Sequence, residues 1–151
     1  MSAEERLAGV WNIVPTPFLE DGALDEVSLP TLTRFVADRG VDGMTIIGVL
    51  GEAAKLSDAE RAAVIRGVLA AAGDLPVCVG VTHAATDRAI AYAREAAALG
   101  AHSVMLAPPA LARPNDDAVL AHYLAVAAAV DLPVVVQDHP ASSGVTIVLS
   151  P

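Results

Sequence analysis

The sequence predicts an alternating α/β protein on parallel strands, corresponding to about the first five units of a (β/α)8 TIM-type barrel. Three observations carry this. Five short β-branched runs recur along the chain and are almost continuously apolar, as strands buried on both faces are. Longer segments with helical spacing lie between them, each with its own start or stop residues. The turn after the first run reads "VPTPFLEDG", with two prolines and no G-x-G-x-x-G, the glycine pattern an open doubly wound sheet would place there.

The predicted strands are Val10–Val14, Met44–Gly48, Val77–Val81, Ser103–Ala107 and Val134–Gln137. In the first helix Leu29, Leu32, Phe35 and Val36 share a face, and Gly40 ends it. Ser57-Asp58-Ala59-Glu60 is a capping box opening the second, whose stripe is Val64, Ile65, Val68 and Leu69 before Gly73. Thr86-Asp87 opens the third, with Ile90, Ala93, Ala97 and Leu99 inward and Gly100 at its stop. Asn115-Asp116-Asp117 opens the fourth, with Leu120, Tyr123, Leu124 and Ala127 inward. "DLPVCV" at 74–79 recurs as "DLPVVV" at 131–136, two β-α units later, each leading from a helix end into a strand.

A closed barrel needs eight strands and typically about 250 residues. The 151 residues supply five strands and reach "VTIVLSP", where a fifth helix would start. They are read as one domain, 1–151, without an internal boundary: the N-terminal part of a longer barrel. The strands at the two sides would then lack partners, and self-association is expected.

Composition narrows the function. Hydrophobic residues make up 54% but aromatics only 3%, so the core is aliphatic. Nine basic against eighteen acidic residues give a net charge of −9, which opposes binding to a nucleic-acid backbone. Cys78 is the sole cysteine and sits in "PVCVGV", where a small core hydrophobe belongs. "MSAEERLAG" has no apolar core of a secretory signal. The longest apolar stretch, 118–136, is broken by His122, Asp131 and Pro133, so no membrane span is expected. A cytoplasmic protein is the expectation.

In a barrel, chemistry gathers where strands end. The segment "GVLGEAAKL" after the second strand is the most specific such place. Gly48 and Gly51 flank Val49 and Leu50, and glycines let a backbone turn tightly and approach a ligand. Successive N–H groups there suit a carboxylate. Thr16, Thr82-His83, Pro108-Pro109 and Gln137-Asp138-His139-Pro140 end the other strands.

"GVWNIVPTPFLEDGALD", "GVDGMTIIGVLGEAAKLSDAER", "PVCVGV", "APP" and "LPVVVQDHPASSGV" stand in the order and spacing of the dihydrodipicolinate synthase / N-acetylneuraminate lyase family, which the whole chain resembles. The resemblance implies a (β/α)8 barrel, commonly a homotetramer, that joins or splits pyruvate and an aldehyde-like partner through a lysine Schiff base, without metal or other cofactor. It implies that Gly48, Val49, Leu50 and Gly51 match the family's G-[TS]-T-G-E loop, whose amides hold the pyruvate carboxylate, and that Thr16 places a hydroxyl near the site. The loop hydroxyls are replaced by Val49 and Leu50. The family's Y-N-x-P segment matches Gln137-Asp138-His139-Pro140, so the proton-shuttling tyrosine is Gln137. An amide is no general acid near neutrality. Asp138 or His139 is then the candidate replacement. The loop "PPALARP" holds no helper tyrosine, and the carboxylate-gripping arginine of the synthases falls at Ser142.

These departures point to a 2-keto-3-deoxy sugar-acid aldolase or dehydratase. The alternatives are a 4-hydroxy-tetrahydrodipicolinate synthase, or an inactive fragment keeping only a carboxylate cradle. Lys55, the only lysine, lies between Glu52 and Asp58 and reads as a solvated loop cation, since the resemblance places the imine lysine on a sixth strand past residue 151. Glu52 is expected to hold its loop through backbone N–H groups. The four histidines have no metal-ligand spacing; His83 and His139 are placed at the mouth, while His102 starts a strand and His122 lies on a helix.

Overall fold

The computed structural model describes residues 7–109, 115–145 and 147, with the side chain of Ser142 excepted. The expected readings of 110–114 and of a helix beginning after Val145 lie largely outside these residues, as does the side chain at the arginine position, Ser142.

Five parallel strands form one sheet in sequence order: β1 (Trp11–Ile13), β2 (Gly43–Ile46), β3 (Val77–Gly80), β4 (Ser103–Leu106) and β5 (Val134–Val136). The helices α1 (Leu29–Ala37), α2 (Asp58–Ala71), α3 (Thr86–Leu99) and α4 (Asp116–Ala127) alternate with them, and α5 (Pro140–Ser143) is one short turn after β5. The partial (β/α) barrel expected from the apolar runs is the fold found. Register runs through Met44↔Val77, Val79↔Val104 and Met105↔Val135. Every residue of β2, β3 and β4 is buried, because strands of this order carry side chains into packing on both faces. Among the described residues β1 pairs only with β2 and β5 only with β4, and both are less buried.

Local signals account for most boundaries. Ser57 Oγ accepts from Glu60 N–H at 3.3 Å while Glu60 Oε2 accepts from Ser57 N–H at 2.8 Å, completing the capping box of α2. The Ser57 hydroxyl also donates to Glu60 Oε2 at 2.7 Å, and this bond first, then the Ser57 N–H, hold the Glu60 carboxyl below its usual range. Asn115 Oδ1 accepts from Ala118 N–H at 3.1 Å to open α4. Gly100, at φ +98°, ends α3, and Ala101 N–H returns to the Ala96 carbonyl at 2.9 Å. The proline-rich turn after β1 is a tight antiparallel loop: Leu19 N–H donates to Ala23 O at 2.8 Å, and Phe18 bridges Leu24.

Four inward assignments are corrected. Phe35 is 56% exposed, with the Arg39 guanidinium 4.5 Å above its ring, and Thr33 is buried in α1 instead. Leu120 and Leu124 are 57% and 59% exposed, Ala127 is exposed too, and α4 turns Val119, His122 and Val126 inward. The 118–130 segment is apolar almost all round, so spacing alone could not select its buried face. Cys78 is 1% exposed, and burial pushes its thiol up.

Candidate active site

β2 stops at Ile46 because Ile47 takes φ +55°, the left-handed region in which a β-branched residue is strained. The strain is held by packing. Ile47 is 2% exposed, and a Cβ on Gly51 would lie 2.8 Å from its nitrogen. The chain then turns sharply. Glu52 N–H donates to Val49 O at 3.1 Å, Glu52 itself sits at φ +54°, and a 3-10 turn (Ala53–Lys55) leads into the α2 cap. Two strained residues thus bracket Gly48–Gly51. Thr16 Oγ1 donates to the Gly51 carbonyl at 2.7 Å in a buried contact from the β1 side. The N–H groups of Gly48, Val49, Leu50 and Gly51 donate to no acceptor among the described residues.

A cleft of about 820 Å³ opens over this loop at the C-terminal ends of β2, β3, β4 and β5. Gly48, Val49, Glu52, Thr82, His83 and Gln137 are among its walls. The structure therefore gathers three of the expected site residues, Gly48, Val49 and Gln137, together with His83. The other five do not line it. The Leu50 side chain is 63% exposed outside it. Gly51 is turned toward Ile47, and Thr16 spends its hydroxyl underneath on Gly51. Asp138 Oδ1 accepts from Ile147 N–H at 3.4 Å, and His139 caps α5, its carbonyl accepting from Ser143 N–H at 3.1 Å. The reason lies in the chain direction after β5. The strand ends at Val136, Gln137 N–H still pairs with Leu106 O at 2.9 Å, and the next two residues swing outward into α5.

His83 Nδ1 accepts from Ala85 N–H at 2.9 Å, which puts the neutral ring's proton on Nε2. Lys55 Nζ is paired with the Glu52 carboxylate, and its side chain is 74% exposed. Glu52 thus bonds Lys55 where its own backbone neighbours were expected. Tyr123 donates its hydroxyl to the Leu106 carbonyl at 2.9 Å; burial, and behind it the charge of Asp138, push that phenol up to about 12.

Two residues of the cleft wall were not anticipated. Arg61 is 3% exposed, with Nη2 donating to the Gly80 carbonyl at 2.8 Å and its guanidinium 3.9 Å over the Tyr92 ring. Tyr92 also binds Asp58, which Arg88 grips at 2.6 and 2.7 Å; these bonds, Arg88 first, hold the Asp58 carboxyl low. A signal for Arg61 was present: at i, i+3, i+4 and i+7 with Val64, Ile65 and Val68, it begins the buried stripe of α2. A charged residue on an apolar stripe asks for a buried partner.

The fold and the cleft define a (β/α)-barrel protein of the kind whose site is made by loops following the strands. The chain belongs to the Dihydrodipicolinate synthetase family, which matches residues 6–150. It is 41% identical over 133 residues to 4-hydroxy-tetrahydrodipicolinate synthase 2 of Streptomyces coelicolor, covering 87% of this chain and 44% of that protein. It is 36% identical over 146 residues to the 4-hydroxy-tetrahydrodipicolinate synthase of Mycolicibacterium paratuberculosis, covering 96% and 49%. Among solved structures it is similar to the chloride-inhibited dihydrodipicolinate synthase of Acinetobacter baumannii complexed with pyruvate, with a TM-score of 0.88 at 31% identity over 92% of this chain and 48% of that one. The chain spans about half the length of the curated relatives it matches. Among the described residues no helix is long and apolar enough to cross a membrane.

Proposed function

We propose that this chain forms the carboxylate-binding half of a pyruvate-dependent lyase, and that the Gly48–Gly51 loop is its keto-acid cradle. One observation carries the proposal: four consecutive N–H groups, bracketed by two strained residues and free of acceptors among the described residues, belong to a loop whose Gly48 and Val49 line the cleft. Preorganised amides of this kind suit an anionic oxygen pair, and pre-placed dipoles need no reorganisation when the charge arrives. Binding of pyruvate by a solved relative agrees with this.

The names of the relatives favour 4-hydroxy-tetrahydrodipicolinate synthesis over the sugar-acid aldolase or dehydratase that the departures at Val49, Leu50 and Gln137 suggested. One feature keeps the sugar-acid chemistry as a second reading. Gln137 is in the cleft wall, and it cannot carry a proton as a tyrosine would. His83, with a proton on Nε2, is one cleft-wall group able to do so, beside Glu52, Lys55 and Tyr92.

The test is a titration of the 15N-labelled chain with pyruvate. Shifts concentrated at the Val49 and Leu50 amides are expected. Shifts confined to other strand ends, or none, remove this loop as the cradle. In the complete protein, condensation with an amino-aldehyde carboxylate against cleavage of a 2-keto-3-deoxy sugar acid separates the two chemistries.

A further inference from the structure

We propose that Arg61 is a positioning residue that braces the Gly48–Gly51 loop from behind, by clamping the end of β3 to the first turn of α2. The inference rests on the keto-acid cradle for its functional meaning, but its geometry is independent of it.

Arg61 is placed to act on both ends of the loop. In sequence it lies ten residues beyond Gly51, past the 3-10 turn and four residues after the α2 cap Ser57. In space its Nη2 holds the carbonyl of Gly80, the last residue of β3. Gly80 in turn lies flush against the carbonyl of Ile47, so close that a Cβ there would be 2.0 Å from that oxygen. Ile47 is the strained residue from which the loop departs. The connection is therefore Arg61 to Gly80 to Ile47 to Gly48: a hydrogen bond, a van der Waals contact and the chain itself.

Two features show that the guanidinium is placed for its shape and direction as well as for its charge. Among the described residues it has no carboxylate in contact; its partners there are a carbonyl and the face of Tyr92. Tyr92 is itself anchored, its hydroxyl donating to Asp58 Oδ1 at 3.0 Å, and Asp58 is the first residue of α2. The brace thus returns to the helix it starts from, through Arg61, Tyr92 and Asp58. A planar, always-charged group can stack and donate at once; an ammonium can only donate. Burial opposes the Arg61 charge, as expected of a cation retained inside for what it holds.

The experiment is amide hydrogen exchange on the 151-residue chain, the Arg61→Met variant and the Arg61→Lys variant. Glu52 and Ala53 report on the loop, since their N–H groups bond back to Val49 and Gly48. Val104, bonded to Pro133 across β4 and β5, reports on the rest of the sheet. In Arg61→Met, exchange at Glu52 and Ala53 should rise about tenfold with Val104 unchanged. Arg61→Lys should recover part of this, one donor without the stack. Unchanged loop exchange overturns the brace. So does a uniform rise that includes Val104, which would make Arg61 a general stability residue; should Arg61→Met not fold, Arg61→Lys alone decides by the same two criteria. Pyruvate titration of the same samples separates the two proposals. No binding by the unsubstituted chain removes the cradle while exchange still decides the brace. Binding that Arg61→Met retains at full strength, with its loop loosened, cuts the link between brace and cradle.

Discussion

Gly80 and Ile47 are in backbone contact across β3 and β2: any side chain on Gly80 would stand 2.0 Å from the Ile47 carbonyl oxygen. The contact exists because Ile47 has left the strand conformation, and φ +55° turns its carbonyl toward β3. Gly80→Ala must therefore displace backbone, with no flexible side-chain end to give way. A loss of about 3 kcal/mol or more is expected in urea denaturation, with the Gly48–Glu52 resonances moving most. A variant within experimental error of the parent would show that the Ile47 turn is soft.

Thr16 is a strut below the loop. Its hydroxyl, 7% exposed with its residue, donates to Gly51 O at 2.7 Å. Thr16→Val keeps the shape and leaves a buried carbonyl without its donor, at a cost of about 1–3 kcal/mol. Chemical denaturation measures the loss. Thr16→Ser should retain most of the stability.

Lys55 is predicted to be no nucleophile. It is exposed and paired with Glu52, whereas an imine-forming amine needs to be desolvated and uncharged. Incubation with pyruvate and borohydride followed by mass spectrometry should leave this chain unmodified. Lys55→Ala should change stability by less than about 0.5 kcal/mol. A pyruvyl adduct mapped to Lys55 would reverse the assignment.

His122 gives the chain an acid sensitivity. It is 3% exposed between α3 and α4, with Nδ1 3.0 Å from Thr86 Oγ1 and no partner for Nε2 among the described residues. Burial, then the charge of His83, hold its pKa below the ordinary 6.5. The unfolded chain therefore takes up the proton first. The stability contributed by neutral His122 is complete above its unfolded value of 6.5 and is lost as pH falls below that. Urea midpoints should fall between about pH 7 and pH 5, and His122→Asn should flatten that dependence. An equal slope in both proteins would exclude His122 as the source.

The flanks of the sheet predict self-association. Among the described residues β1 and β5 each pair on one side only, and Val136, Leu120 and Leu124 are more than half exposed at the β5 side. Unpaired strand edges beside apolar surface recruit other chains despite a charge of −9. Sedimentation should show species above the 15.4 kDa monomer that grow with concentration; a monomer at every concentration would count against it.

The sequence determined the architecture by itself. Apolar runs at 44–48, 77–81 and 103–107 could only be strands covered on both faces, and the Ser57 box, Asn115 and Gly100 marked helix ends because capping is a local, short-range bond. It also placed Gly48, Val49 and Gln137 at the mouth, since strand ends are readable from where β-branched residues stop. Only the tertiary structure decided which neighbours of those residues face inward. Thr16 turned to Gly51, and Asp138 and His139 swung into α5, through contacts between segments far apart in the chain or through a turn with no sequence period. It likewise revealed the Arg61 clamp on Gly80 and the strained Ile47. A buried charge finds its partner, and a β-branched residue is held at positive φ, only when packing from several elements over-determines the position; spacing along one element carries no record of that.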